Sequence, residues 1–444
     1  MKKKTIFVLA SVKNCINSDD FKSKNRCSAH DFCRERLLNF PTVMVIILNN
    51  ISKSLSVELS NFFGRIRMGL SVSKQAFSKA RYKVKSSSFI ELNDVFVKSY
   101  YESGDYRLYK GEYLLLATDG STYELPYEDS LIDAFGVADN KVGEQPICLA
   151  RGVKIWDLQN QLTVSSTLGH YNISEIEHFK ATWIAAQKLL TTRKEGRLLL
   201  LADMAYPSFW LFDDLRQADV DFVFRCPPTF CREVKAFMAS PQTDQILTIP
   251  VGLNTDRKSR FKRQKGVHNI PDTVWVRAVK FTRPTGEVTC LLTSIPVETF
   301  TYDDIGELYP YRWGEEVSYY FDKYRAEIEN FSAKMPEGIR QDWYANTLNT
   351  NLSQLIIEDA QQIVDEQQKD KNNKYEYHIN RSVAIGIIKD ELPKMLFGKE
   401  KPITFYNRMI QLIVKHTEPV RPNRSYPRKR KHKLKFSMNL RRVI

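Results

Sequence analysis

Long apolar runs are missing from this 444-residue chain. The strongest candidate, FPTVMVIIL at 40–48, is far shorter than the ~18 residues that span a bilayer, so no transmembrane helix is expected. The opening MKKKTIFVLASVKNC has the lysines and short apolar run of a secretory leader. No clear small-residue cleavage site follows it, so a leader is not expected. Cysteine is sparse and unordered: seven residues, an odd count without regular spacing, which argues against a disulfide framework. Cys27, His30 and Cys33 lack a fourth ligand at typical spacing, so zinc is not expected there. Reduced thiols in a cytosolic protein fit better. No internal repeat is visible, which excludes a solenoid. Acidic residues are absent from 421–444, where ten Lys or Arg stand.

The composition that is present is globular: 43% hydrophobic and 12% aromatic, in a chain long enough for two or three domains. The net charge is +14, and the last 24 residues supply ten of it. Such a balance favours a polyanionic partner, nucleic acid first and an anionic membrane surface second. A tail of this kind, with Lys429, Arg430 and Lys431 at its centre, binds DNA by neutralising phosphates without reading sequence.

Periodicity divides the chain. Residues 26–100 read as helical. Within them SVSKQAFSKARYKV (71–84) opens with a serine cap, and Lys74, Lys79 and Arg81 surround Ala76, Phe77 and Ala80. That pattern suits a DNA-recognition helix or an unpartnered basic surface helix equally. From residue 111 the period changes. GEYLLLATDGSTYEL, PICLARGVKIWDL and QLTVSSTLG read as strands, followed by a capped amphipathic helix at SEIEHFKATWIAAQKLL. GRLLLLAD is a buried strand followed by a helix, and DFVFRC is a further strand. This order predicts an α/β fold with a central sheet. Residues 227–300 predict a β-rich insertion carrying a basic loop, DRKSRFKRQKG, with Arg260, Lys262 and Arg263. After Glu316 the chain reads as helical to about 416.

Three carboxylates stand at the ends of strong elements. Asp119 ends one apolar strand, Asp203 ends another, and Glu316 lies on a helix predicted over 308–331. In an open α/β sheet the site crevice lies just outside strand ends. Three hard oxygen donors suit Mg²⁺ or Mn²⁺, and two such ions can activate a water and stabilise a leaving oxygen in phosphodiester cleavage. On that last helix Tyr309, Arg312, Glu316 and Lys323 fall within about 60° of arc. Beside them an apolar stripe of Val317, Tyr320, Phe321, Tyr324, Ile328 and Phe331 is expected to bury the helix.

The spacing Tyr309, two residues, Arg312, three residues, Glu316, six residues, Lys323 resembles the signature of bacterial transposases of the "insertion sequence 4" family. ATDGS around Asp119 is similar to that family's first acidic motif and ADMAYPS around Asp203 to its second, with Met204-Ala205 where many relatives have Arg-Gly or Arg-Glu. The resemblance implies an RNase H-like catalytic core, a mixed central sheet flanked by helices with a β-rich insertion between the second Asp and the Glu. It is preceded by a helical N-terminal domain and followed by a helical C-terminal region. The expected layout is a DNA-binding domain at 1–100, the core at 101–226 with its insertion at 227–300, and the Glu-bearing helix at 301–335. Helices follow at 336–420, and a basic tail at 421–444. It also implies cut-and-paste transposition in the bacterial cytoplasm, at the nucleoid, by an enzyme that binds double-stranded DNA. A homodimer on paired element ends is expected. Asp119, Asp203 and Glu316 would bind two Mg²⁺ or Mn²⁺ ions, Arg312 and Lys323 would hold phosphates, and Tyr309 would touch the DNA backbone. A catalytically degenerate DNA-binding repressor and a simple metal-dependent nuclease are the competing readings.

Overall fold

The computed structural model describes residues 2–421 apart from 35, 50–53, 67–70, 140–145, 266–269, 283–285, 325, 370, 372 and 398–399. Lys429, Arg430 and Lys431 therefore lie outside the described residues, as do the side chains of Arg260 and Arg263.

Six helices open the chain: α1 (Lys2–Ile16), α2 (Asp19–Asn25), α3 (Phe40–Leu48), α4 (Leu55–Ile66), α5 (Lys74–Arg81) and α6 (Ser87–Glu102). Then come β1 (Tyr113–Glu124), α7 (Asp129–Phe135), β2 (Val137–Ala138), β3 (Ile147–Asp157), β4 (Leu162–His170) and α8 (Glu175–Leu190). They are followed by β5 (Arg197–Ala202), α9 (Phe209–Gln217), β6 (Val220–Cys226), α10 (Arg232–Ala239), β7 (Asp244–Pro250) and α11 (Thr255–Lys265). β8 (Thr273–Thr282) and β9 (Val288–Thr293) complete the main sheet. The last part holds α12 (Tyr302–Leu308), a 3₁₀ turn (Tyr309–Arg312), α13 (Trp313–Tyr324) and α14 (Pro336–Gln368). It closes with β10 (Tyr377–Ile379), α15 (Arg381–Phe397), α16 (Pro402–Ile413) and β11 (Thr417–Pro419).

Among the described residues nine strands form one mixed sheet in the order β2-β3-β1-β5-β6-β9-β8-β7, with β4 also paired to β3. β1, β5 and β6 run parallel; β3 runs antiparallel to β1, and β4 antiparallel to β3. The continuous apolar runs of β1 and β5 follow from this central place, because a strand covered on both faces has no polar side to show. Leu114 and Leu116 of β1, with Leu198 and Leu200 of β5, enter one core. Tyr113, Leu115, Leu199 and Leu201 enter a second core, which Phe300, Ile305 and Leu308 close. The first core is the larger and takes in the N-terminal helices and α14–α16. The stretch 227–300 is not a separate sheet: β9, β8 and β7 extend the central one outward from β6. Its basic run forms the helix α11 rather than a loop, anchored by the fully buried Phe261, and Lys262 is exposed.

Helix α1, which mimics a leader in sequence, packs against α6, α14 and α16. Its Lys4 is buried, donating to the Asp105 carbonyl at 2.7 Å and standing 4.6 Å from the Tyr100 ring centre. The candidate recognition helix α5 needs one correction. Lys74 and Lys79 are exposed, but Arg81 is buried and cannot meet DNA. Its guanidinium donates to Gln341 (2.8 Å), Ser332 (2.6 Å), the Gly338 carbonyl (3.3 Å) and Asp342 (2.8 Å), so it bolts α5 to α14. Arg81→Ala is therefore expected to cost about 3–5 kcal/mol of stability by removing the buried guanidinium's bonds to Gln341 and the Gly338 carbonyl and its ion pair with the half-buried Asp342. Lys79→Ala should change stability by less than about 0.5 kcal/mol. Urea unfolding of both variants checks this; equal stabilities would show that Arg81 is not structural.

Candidate active site

Asp119 does not end its strand. β1 continues to Glu124 against β3, whereas its parallel partner β5 stops at Ala202, opposite Thr118. The register Thr118↔Ala202 therefore sets Asp119 and Asp203 side by side, one just past the end of the pairing on each chain segment. In a parallel pair, residues in register share a face. Asp119 and Asp203 thus stand on the side of the sheet covered by α12, the 3₁₀ turn and α13.

Two tyrosines seat that cover. The Tyr319 hydroxyl of α13 donates to the Asp119 carbonyl at 2.6 Å, and the Tyr309 hydroxyl reaches the Ala202 carbonyl at 3.5 Å. Both hold the backbone at the two aspartates. Burial raises the Tyr309 pKa to about 12, so its hydroxyl keeps its proton.

The predicted single helix is broken. Pro310 lies in the 3₁₀ turn, which advances three residues per turn and so shifts the phase of everything after it. The expected apolar stripe consequently faces outward: Val317, Tyr320 and Tyr324 are each more than half exposed. The buried face of α13 is instead polar, formed by Glu315, Ser318, Tyr319 and Asp322. What attracts it is Lys154 on β3, directly opposite Asp119 in register and ion-paired with Asp322, both side chains being 2% exposed. The rings of Tyr319 and Trp343 stand 5.1 and 5.6 Å from that ammonium. Ile328 and Phe331 are buried as expected, but beyond the helix end.

Glu316 meets the aspartates through Arg312. The guanidinium donates to Glu316 Oε1 at 2.8 Å and faces Asp119 Oδ2 at 3.9 Å. Asp203 acts on it through space. Burial works to lower the Arg312 pKa, but the Glu316 bond and the charges of Tyr309, Asp203 and Glu316 together raise it. Its Nε and Nη1 are buried without a hydrogen-bond partner. Lys323 donates at 2.7 Å to both Ser121 Oγ and the Thr122 carbonyl, holding α13 to the free length of β1. Asp119 is pushed up to about 6, first by burial and next by Glu175, with Glu316 adding; the Gly120 amide and Arg312 oppose.

Among the described residues, no three His, Cys, Asp or Glu side chains are arranged as a metal cage. The acids instead share one guanidinium. The donor set nevertheless suits a hard divalent cation: three carboxylates from three elements, two of them on the Arg312 guanidinium. The sequence reading does not single out Glu175, which lodges against Gly120. The one signal for it is the glycine immediately after Asp119, a mark of close approach.

No helix among the described residues is long and apolar enough to cross a membrane. Among curated proteins none matches the chain. The chain is similar to a solved cryo-EM structure of a piggyBac transposase synaptic complex with hairpin DNA. The identity is 9% and the TM-score 0.45, over 93% of this chain and 84% of that one. Residues 111–352, more than half of the chain, match the family described as Transposase DDE domain. Domains of this family generally use divalent metal ions. The matched span runs from the start of β1 to the middle of α14 and contains both aspartates and the Arg312–Glu316 pair; the chain belongs to the DDE transposases, enzymes that act on DNA, and is built on their RNase H-like core.

Proposed function

We propose that this transposase cuts DNA at the ends of an element of the insertion-sequence-4 type and joins those ends to target DNA. Asp119, Asp203 and Glu316 are its metal-binding carboxylates. The observation that carries this reading is the β1–β5 register, which sets Asp119 beside Asp203 under the helix that brings Glu316. Two Mg²⁺ or Mn²⁺ ions held there would supply activation of the attacking hydroxyl and neutralisation of the leaving oxygen. The chain's own residues do the rest. Arg312 holds Glu316 through Nη2, and its Nε and Nη1, buried in this structure, would take a phosphate oxygen only once the 3₁₀ turn that carries Arg312 is displaced. Lys323 adds positive charge two turns on, along the free length of β1, and Tyr309 sets the backbone beside Asp203. The exposed Lys74 and Lys79 of α5, Lys262 of α11 and the basic run 421–444 provide further contacts to DNA phosphates. Two copies of the chain act on paired ends.

The test is cleavage of a labelled element-end duplex in Mg²⁺. Wild type cuts it. Glu316→Gln binds the duplex as before but cuts about a thousandfold more slowly or not at all, the several kcal/mol that a metal-bound carboxylate supplies. Full cleavage by this variant removes Glu316 from the site. A wild-type protein that binds element ends but cuts nothing in Mg²⁺ or Mn²⁺ is a repressor instead.

A further inference from the structure

Gly120 follows Asp119, and the space of its missing side chain is taken by another residue. A Cβ built there would lie 2.5 Å from Cδ of Glu175. Glu175 is the first residue of α8, after the Ser174 cap, and belongs to none of the elements that carry the three acids. Its carboxylate lodges against β1 at the residue after Asp119, just where the pairing with β5 has ended.

The carboxylate has a hydrogen bond on one side and a longer ion pair on the other. The buried Tyr206 hydroxyl donates to Glu175 Oε1 at 2.5 Å. Tyr206 lies three residues past Asp203, and the same hydroxyl is 3.5 Å from Thr118 Oγ1, one residue before Asp119. The second oxygen, Oε2, faces Arg151 Nη1 of β3 at 3.8 Å, beyond hydrogen-bond length. One edge of Glu175 is thus tied to the segment that carries Asp203, and the other is turned to weakly held charge.

Two buried neighbours show that this group of charges is short of partners. Glu315 is fully buried and neither of its carboxyl oxygens has a hydrogen-bond partner. After burial, Asp119 is the foremost charge acting on it. Arg312, 6% exposed, has two nitrogens in the same condition.

We propose that Glu175 is a fourth carboxylate of this site, a ligand that holds the divalent cation beside Asp119 from the α8 side of the sheet. This rests on the reading that Asp119, Asp203 and Glu316 bind that cation. Arg312 balances the acids from the α13 side alone. Glu175 reaches the free edge of β1 beside Asp119 through the gap that glycine leaves, and a cation at that edge would offset the like charges of the two carboxylates. Tyr206 fixes the orientation of Glu175 and couples it to the Asp203 turn, the usual arrangement by which outer groups orient metal ligands.

A brace without a metal role would use only the Tyr206 bond, and two substitutions separate the cases. Glu175→Gln keeps the length and an oxygen for Tyr206 but removes the charge. Tyr206→Phe keeps the charge and removes the bond. The measurement is the thermal stabilisation of the full chain, without DNA, over a Mn²⁺ titration. Glu175→Gln is expected to raise the Mn²⁺ midpoint about tenfold or more, and Tyr206→Phe to raise it less. Gly120→Ala, whose methyl displaces the carboxylate, is expected to shift it in the same direction as Glu175→Gln. A wild-type midpoint in Glu175→Gln, or in Gly120→Ala if the former does not fold, overturns this proposal alone. A wild-type protein that Mn²⁺ does not stabilise overturns the three-carboxylate reading with it.

Discussion

Asp119→Asn is expected to abolish cleavage and, in the absence of metal, to make the protein more stable at pH 7.5. The two effects share one cause. The folded state holds the Asp119 carboxyl at about 6 against the ordinary 3.8 of an aspartate, chiefly through burial and then through Glu175. Between those values the folded chain binds more protons than the unfolded chain, so metal-free stability falls as pH rises through this window. Asparagine keeps the shape and cannot ionise, so the variant escapes that loss. The shift corresponds to about 2–3 kcal/mol above pH 6 and to nothing near pH 4. Asp94 and Asp157 are raised to about 6 as well, so only the difference between variant and wild type isolates Asp119. Melting both proteins in a chelator at pH 4 and pH 7.5 reads it. An asparagine variant less stable than wild type at the higher pH would mean that Asp119 is structural rather than poised for a cation.

The second large effect lies beneath the site. Lys154→Met is expected to destabilise the chain by about 3–5 kcal/mol and to stop cleavage, although Lys154 is too deeply buried to touch DNA. Lys154 is the cation that the inner face of α13 is built on; without it Asp322 is a buried acid without its ion pair, and the buried Glu315 loses the positive charge that Lys154 sets against it. Replacing both partners, Lys154→Met with Asp322→Leu, should recover most of the stability, because paired removal leaves no orphan charge. Denaturant unfolding of the single and double variants decides it. A double variant no more stable than the single one would place the cost in packing and not in charge.

The sheet is readable from the sequence because its message there is local. LLLLA before Asp203 and YLLLA before Asp119 are apolar without alternation, and only strands covered on both faces need that. Spacing alone links Glu316 to Arg312, and the structure has that pair at 2.8 Å. What is not readable depends on partners distant in the chain. Arg81 looks like a surface cation because Asp342, which buries it, is 261 residues away. The inner face of α13 is hidden from the sequence for two reasons: a 3₁₀ turn breaks the 100° count, and Lys154, which draws the polar face inward, stands on another element. The strands after β6 alternate as any strand does, and periodicity cannot tell a separate sheet from an extension of the first. Glu175 leaves only an indirect sign, the glycine that makes room for it.

The two aspartates differ in how firmly their backbones are fixed. Asp119 lies inside a ladder that runs five residues further, and its carbonyl is tied to Tyr319. Asp203 is the first residue beyond its strand, at the start of a turn closed by the Tyr206 amide on its own carbonyl. Thermal opening of that turn breaks this bond and the one from the Met204 amide to the Asp203 carboxylate, whereas moving Asp119 means unzipping β1 from β3. Any change in the spacing of the two acids, between the free protein and one holding a scissile phosphate, is then a displacement of the Asp203 turn measured against a stationary strand. Amide exchange should show this directly, with slow exchange along β1 and faster exchange at Met204 and Tyr206, whose amides bond, among the described residues, only to Asp203.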